Sequence, residues 1–262
     1  MNITSAILAV GSGSLVGFTL GLIGGGGSIM ATPLLLYVVG LPPHEAIGTG
    51  ALAVSVNAFV NFAGHARVGN VRWRNAVVFA LVGVLGAALG STMGKSFDGK
   101  RLLFLFAILM ILVGILMLRR RPVPVAAPIP VGGNDNAGAE AFGSNVKVVV
   151  AALAVGTLSG FFGIGGGFLI VPGLVFSTGM PMLCAVGSSL LAVGTFGLTT
   201  AVNYAISGLV NWPIAAEYIS GGIVGGIAGM ALAVRLASRK AVLNRIFAGV
   251  VFMAAAYMLY KN

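Results

Sequence analysis

Apolar runs follow one another along almost the whole chain, separated by short stretches that are polar or rich in glycine and proline. Five fall in the first half, at about 5–23, 28–40, 45–64, 75–94 and 102–118, and five in the second, at about 146–162, 167–179, 183–207, 214–236 and 241–260. Most approach or reach the roughly 20 residues a helix needs to cross the hydrocarbon of a bilayer. The second run of each half is too short for that. Each of these short runs follows a glycine cluster and ends at Gly40-Leu-Pro-Pro or Gly179-Met-Pro. Glycine admits irregular backbone and proline removes a donor, so both runs are predicted as half-helices or broken helices. Such backbone at membrane depth must be buried in protein or line a wet cavity. Residues 120–145 are rich in Pro, Gly, Ala and Asn, show no helical period, and read as a flexible linker between 1–119 and 146–262.

The two halves repeat each other. Adding 139 carries Gly24 to Gly163, Pro33 to Pro172, Gly40 to Gly179, Gly48 to Gly187 and Trp73 to Trp212 without a gap. The tryptophan match carries the most weight, because these are the only two in the chain. The predicted fold is therefore all-α: a polytopic transmembrane bundle of two five-segment repeats, with broken helices at glycine-rich turns. A repeat in an apolar chain marks a transporter whose site lies between related halves.

Composition agrees with a polytopic integral membrane protein. The chain is 58% hydrophobic and 8% charged, against roughly 25% charged in a soluble domain, and its mean hydropathy is +1.06. The net charge of +10 lies in short loops, where basic residues orient helices; it does not call for a nucleic-acid partner. The lipid bilayer and a small anion are the expected partners, with room for a homo-oligomer. An odd number of crossings per half would invert the second repeat. Arg67, Arg72 and Arg74 follow the third run, whereas the matching stretch 207–213 has no charge. With both termini outside, these arginines and Arg119–Arg121 face the cytoplasm, which favours the inverted arrangement. Lys95, Lys100 and Arg101 then fall outside and count against it. Four crossings per half would give parallel repeats.

Chemistry must come from few groups. Glu45 and Glu217 lie near segment ends, and Arg245 is near enough to one to snorkel. An anion can still be held by unpaired N–H groups at helix starts, where glycine lets it come close. Two such cradles recur. One is Gly24, Gly25, Gly26, Gly27 and Ser28, matched by Gly163, Gly165, Gly166 and Gly167. The other is Gly48, Thr49 and Gly50, matched by Gly187, Ser188 and Ser189. The hydroxyls at Thr49 and Ser188 keep one register and offer donors without the cost of burying an ion. Close helix packing is the competing explanation, and it is preferred for Gly83, Gly86 and Gly90 and their partners. Asn57, Asn61 and His65 share one helix face at i, i+4 and i+8. Phe196, Thr200 and Tyr204 stand at the matching positions, with Asn203 beside them. This stripe is read equally as a pathway or as interhelical hydrogen bonding.

Enzyme chemistry finds little support. Ser188 and Ser189 have no histidine in their half, no His/Asp/Glu cluster has metal-ligand spacing, and no glycine run has the context of a nucleotide loop. Cys184 stands alone. No cofactor is implied.

The doubled glycine cluster, short helix, Pro and Ala-x-Gly-Thr/Ser pattern resembles the TauE/SafE family of sulfite exporters and related anion transporters. It reads Gly24–Ser28, Pro33, Ala46-Ile-Gly-Thr49, then Gly163–Gly167, Pro172, Ala185-Val-Gly-Ser188. The resemblance covers nearly the whole chain except the linker. It implies export of small sulfur oxyanions or organosulfonates, whereas the residues alone reach only a small anion or polar solute held at helix ends. A passive anion channel or a non-transporting membrane scaffold are the alternatives. The broken, doubled helices favour alternating access over a channel, which would need a continuous polar lining.

Overall fold

The computed structural model describes residues 3–119, 140–163, 167–180, 182–235 and Ala256. Residues 120–139, Ile164, Gly165 and Gly166, and the tenth predicted run apart from Ala256 lie outside the described residues. Among the described residues nine α-helices follow in order: α1 (Ile3–Ile23), α2 (Ala31–Leu34), α3 (Pro43–Arg67), α4 (Trp73–Ser96), α5 (Gly99–Arg119), α6 (Glu140–Phe162), α7 (Gly167–Thr178), α8 (Met182–Ile206) and α9 (Trp212–Arg235). No strand occurs among the described residues. Among the described residues five helical stretches are long and apolar enough to span a membrane: Thr4–Leu22, Pro43–Arg67, Trp73–Ser96, Cys184–Ile206 and Trp212–Leu232.

The predicted breaks are present. The chain leaves α1 through a 3₁₀ helix at Gly24–Met30, makes one α-turn in α2, and continues as a π-helix over Leu35–Val39. In the second half the matching segment is the 12-residue α7. Some bounds move. Helices α3 and α4 each gain residues at both ends of the predicted runs, and α3 opens with a proline in its first turn, where the missing N–H is not needed. Helix α6 begins at Glu140, so 140–145, read from sequence as the end of the linker, are its first turns.

Among the described residues six glycines hold a left-handed backbone, with φ of 74° at Gly24, 86° at Gly40, 75° at Gly69, 65° at Gly163, 67° at Gly179 and 70° at Gly208. They form three pairs separated by 139. The turns at Gly69 and Gly208 also share their hydrogen bonds. Gly69 and Asn70 donate to the carbonyls of Ala66 and His65, and Gly208 and Leu209 to those of Ala205 and Tyr204. A left-handed glycine after the last turn is how a helix satisfies its terminal carbonyls. A left-handed glycine at the same register thus closes α3 and α8 in the same way.

Packing follows an inside-out size rule. On α4 the glycines Gly83, Gly86, Gly90 and Gly94 are buried, while Leu81, Leu85 and Leu89 are about two-thirds exposed (68%, 64% and 66%). In lipid the large side chains lose nothing by facing outward, and small residues let backbones meet. A Cβ at Gly86 or Gly90 would collide with backbone atoms at Leu153 and Thr157 of α6, and one at Gly156 or Gly160 with Gly83 and Ala87. Helices α1 and α9 pair likewise: Gly13, Gly17 and Gly21 abut Tyr218, Gly222 and Gly226, and Gly221, Gly225 and Gly229 abut Val10, Ser14 and Phe18. In both pairs the contacting numbers rise together, so the helices run parallel. Each half's first helix therefore lies on the other half's long helix after the cradle.

Helices α3 and α8 cross in the interior and run the other way. Gly48 meets Tyr204, Ser55 Oγ donates to the Gly194 carbonyl at 2.6 Å, and Gly187 meets His65. As numbers rise on one they fall on the other, so the pair is antiparallel. Ser55 and Gly194 are themselves 139 apart, so the crossing falls where a residue touches its own counterpart. Helix α5 covers one flank through Leu102, Leu103, Phe106 and Met110, against Ile29, Ile47, Phe162 and Tyr204.

Candidate functional site

The two kinds of cradle meet across the halves. Gly24, at the end of α1, packs on Val186 at the start of α8, and Gly163, at the end of α6, packs on Ile47 at the start of α3. Each glycine turn thus touches the residue two before the other half's cradle hydroxyl. Gly50 instead faces Ala31, Thr32 and Leu35 of its own half. Ser28, Gly48, Thr49, Gly50, Gly167, Gly187, Ser188 and Ser189 are all buried. The backbone of Gly25, Gly26 and Gly27 lies in the 3₁₀ turn.

The hydroxyls take up bonds that the sequence did not reveal. The backbone N–H of Asn211 donates to Thr49 Oγ1 at 2.9 Å, and that of Arg72 to Ser188 Oγ at 2.9 Å. Arg72 and Asn211 stand just before α4 and α9, where helix-start N–H groups need partners. Each cradle hydroxyl therefore ties down the loop entering the other half's long helix. A hydroxyl that accepts keeps its own hydrogen to donate. Ser189 Oγ donates to the Val186 carbonyl of its own helix.

Above each cradle sits a different side chain. A Cβ at Gly187 would be 3.4 Å from His65 Cβ, and one at Gly48 would be 2.9 Å from Tyr204 Cβ. His44 and Tyr204 lie with ring centroids 6.3 Å apart. Arg67, Arg72 and Arg74 belong to the His65 end. At the Tyr204 end, Lys95 Nζ donates to the Asn203 carbonyl at 3.1 Å and to Ser207 Oγ at 2.8 Å, closing the last turn of α8. A cation there answers the negative end of the helix dipole. This gives Lys95 a structural reason to sit at that end whatever the bias of the loops.

The polar face of α3 is buried and largely unpaired. Asn57, Asn61 and His65 are no more than 3% exposed. Asn61 Nδ2 donates to the Asn57 carbonyl of its own helix at 2.8 Å. Neither amide atom of Asn57 and neither ring nitrogen of His65 has a partner. The His65 ring lies by the Gly21 carbonyl without reaching hydrogen-bond geometry. Asn57 faces Gly222, while Asn61 faces Gly21 and Gly226. Asn203 is placed differently, since its Nδ2 donates to Ser91 Oγ at 2.7 Å and Thr92 Oγ1 at 2.9 Å, joining α8 to α4. Thr32, Tyr204 and Tyr218 also bury hydroxyls without partners. Sequence reasoning missed Thr32, Ser55 and Tyr218. For Tyr218 a signal existed: its counterpart is Phe79, so the repeat changes from apolar to polar there. Among the described residues no three His, Cys, Asp or Glu side chains come together.

Spanning helices packed through glycine, broken segments at their centre and uncharged polar groups facing inward define a multi-pass membrane transporter. The chain belongs to the TauE/SafE sulfite exporter family, whose model, described as "Sulfite exporter TauE/SafE", matches residues 9–258. It is 56% identical over 263 residues to a "Probable membrane transporter protein" of Xylella fastidiosa (strain Temecula1), covering 100% of this chain and 98% of the relative. It is 27% identical over 272 residues to "Probable membrane transporter protein YunE" of Bacillus subtilis, covering 98% of each. A "Probable membrane transporter protein" of Methanocaldococcus jannaschii is 26% identical over 208 residues, covering 76% of this chain and 70% of the relative. No solved structure matches the chain.

Proposed function

We propose that this transporter moves a small anion, a sulfur oxyanion or organosulfonate, by alternating access around a site between two inverted repeats. The observation that carries the reading is the reciprocal junction of glycine turn and hydroxyl cradle, Gly24 on Val186, two residues before Ser188, and Gly163 on Ile47, two residues before Thr49. Each junction is built from both halves, so rocking one half against the other opens one junction and closes its counterpart. The antiparallel run of α3 and α8 supports inversion, because equivalent helices of parallel repeats would run the same way. Neutral donors suit an anion that must bind and leave: N–H and O–H groups stabilise its charge without a buried cation that would hold it. The sulfur chemistry rests on the family.

The test is a binding screen of purified protein against sulfite, sulfate, thiosulfate, sulfoacetate and taurine, followed by flux in proteoliposomes. Saturable uptake, accelerated by the same solute on the far side, is expected of a carrier. Conductance that rises without saturation would establish the channel instead, and no binding by any of the five would remove the anion reading.

A further inference from the structure

The repeat is closely matched in backbone, so a departure in side chains is informative. On α3 the inward face reads Asn57, Asn61, His65; on α8 the matching face reads Phe196, Thr200, Tyr204. The surroundings match: Gly222 faces Asn57 as Gly83 faces Phe196, and Gly187 faces His65 as Gly48 faces Tyr204. Phe196 is filled in and stacked on Phe79, with ring centroids 6.2 Å apart. The counterparts of that stacked pair are Asn57 and Tyr218, both wholly buried, with both amide atoms and the phenol hydroxyl unpartnered.

An unpaired amide in the middle of a spanning helix is costly, because no water reaches it to compensate. Had the stripe served only to hold helices together, its groups would bond across helices. Among the described residues none does within hydrogen-bond geometry: Asn61 bonds within α3, Asn57 bonds to nothing, and the His65 ring only lies by the Gly21 carbonyl of α1. Both amide atoms of Asn57 are orphaned, so turning the amide over changes nothing. The residue needs a partner that both accepts and donates.

We infer that the anion's resting place lies along Asn57, Asn61 and His65 of α3, that in this conformation the solute path reaches it from one side, and that the matching face of α8 is the closed side. The inference rests on the anion reading above and deepens it. The path enters at the end bracketed by Arg67 and Arg72, passes the Ser188 cradle and His65, and stops near the middle of α3 at Asn57. A hydrated oxyanion meets the need there: one oxygen takes the Asn57 N–H, and a carried water gives to Oδ1. His65 offers an N–H in either protonation state. On the far side Phe196 and Phe79 fill the matching space.

Two measurements test it. In a Cys184→Ser background, single cysteines at Asn57, Asn61, Phe196 and Thr200 are treated in membrane vesicles of both orientations with a small sulfonate-bearing thiol reagent. Positions 57 and 61 are expected to react and 196 and 200 to stay protected. Equal or faster reaction at 196 and 200 overturns the inference, whatever the natural solute is. The second measurement is equilibrium binding of sulfite and sulfoacetate to purified Asn57→Phe. The other half already seats phenylalanine at this position against glycine, so the variant is designed to fold, which its melting temperature checks. Affinity should fall about ten- to a hundredfold, the loss of a hydrogen bond to a charged partner, while Phe196→Leu keeps wild-type affinity. Unchanged affinity in a folded Asn57→Phe also overturns the inference. If instead positions 57 and 61 label as expected but the wild-type protein binds none of the five solutes of the screen, the anion reading fails and the one-sided path stands.

Discussion

Thr49 and Ser188 illustrate how one atom serves two ends. Each Oγ accepts the N–H of Asn211 or Arg72 across the two halves. Removing it strands a partly buried donor, which costs about 1–3 kcal/mol. Thr49→Val and Ser188→Ala are therefore expected to lower the melting temperature of the ligand-free protein in detergent. An unchanged melting temperature with weakened anion binding would assign both hydroxyls to the ligand alone. Asp98 shows a simpler cap outside the spans. Its carboxylate accepts the N–H groups of Arg101 and Lys100 at the start of α5, and these bonds hold its pKa below the usual value. The sign follows: the cap is present at neutral pH and is lost as pH falls through the lowered pKa.

Glycine decides how the helices assemble. Where a Cβ would strike a backbone carbonyl of the neighbouring helix, the two axes must separate or the chain must bend. Gly17→Ala on α1 and Gly90→Ala on α4 are expected to destabilise by about 1–3 kcal/mol, the usual cost of overpacking. Gly11→Ala is the matched control, because nothing lies within 4 Å of its Cβ position. Melting temperatures of the three variants check this; helix propensity alone would raise all three, because Ala is the better helix former, and an equal fall in all three would show that contact with the neighbouring helix is not the cause. Gly86 belongs with the sensitive group, since its Cβ would lie 2.6 Å from the Leu153 carbonyl.

At the scale of the whole molecule, the antiparallel pair α3 and α8 places their closing turns, 68–72 and 207–211, at opposite ends. With inverted repeats these ends lie on opposite faces of the membrane. In intact cells carrying Cys184→Ser, an impermeant thiol reagent added outside is expected to label Ser207→Cys and to spare Arg72→Cys. Labelling of both from outside would mean that the two turns share a face. Trp73 and Trp212 open α4 and α9 and are 57% and 63% exposed, which suits the two interfacial belts of such an arrangement.

The sequence alone determined the class and most of the elements, because both depend on signals that lie close together along the chain. Apolar length specifies spanning helices, and Gly-Leu-Pro-Pro stops one. The 139-residue offset carries α3 onto α8 and α4 onto α9 residue for residue, and it matches the left-handed glycines in pairs. Of the glycines and hydroxyls that drew attention in the sequence, Gly24, Gly163, Thr49 and Ser188 each touch the other half. What only the tertiary structure decided is which groups meet. Nothing local tells Gly24 to pack on Val186, or Thr49 to accept from Asn211, since those contacts join residues more than a hundred positions apart. Nor does the helical period of Asn57, Asn61 and His65 say whether their polar atoms find partners. A face is set by spacing, but satisfaction depends on what the neighbouring helices bring. Here α1 and α9 bring glycines, which let the backbones close in and offer the amide no side chain to bond.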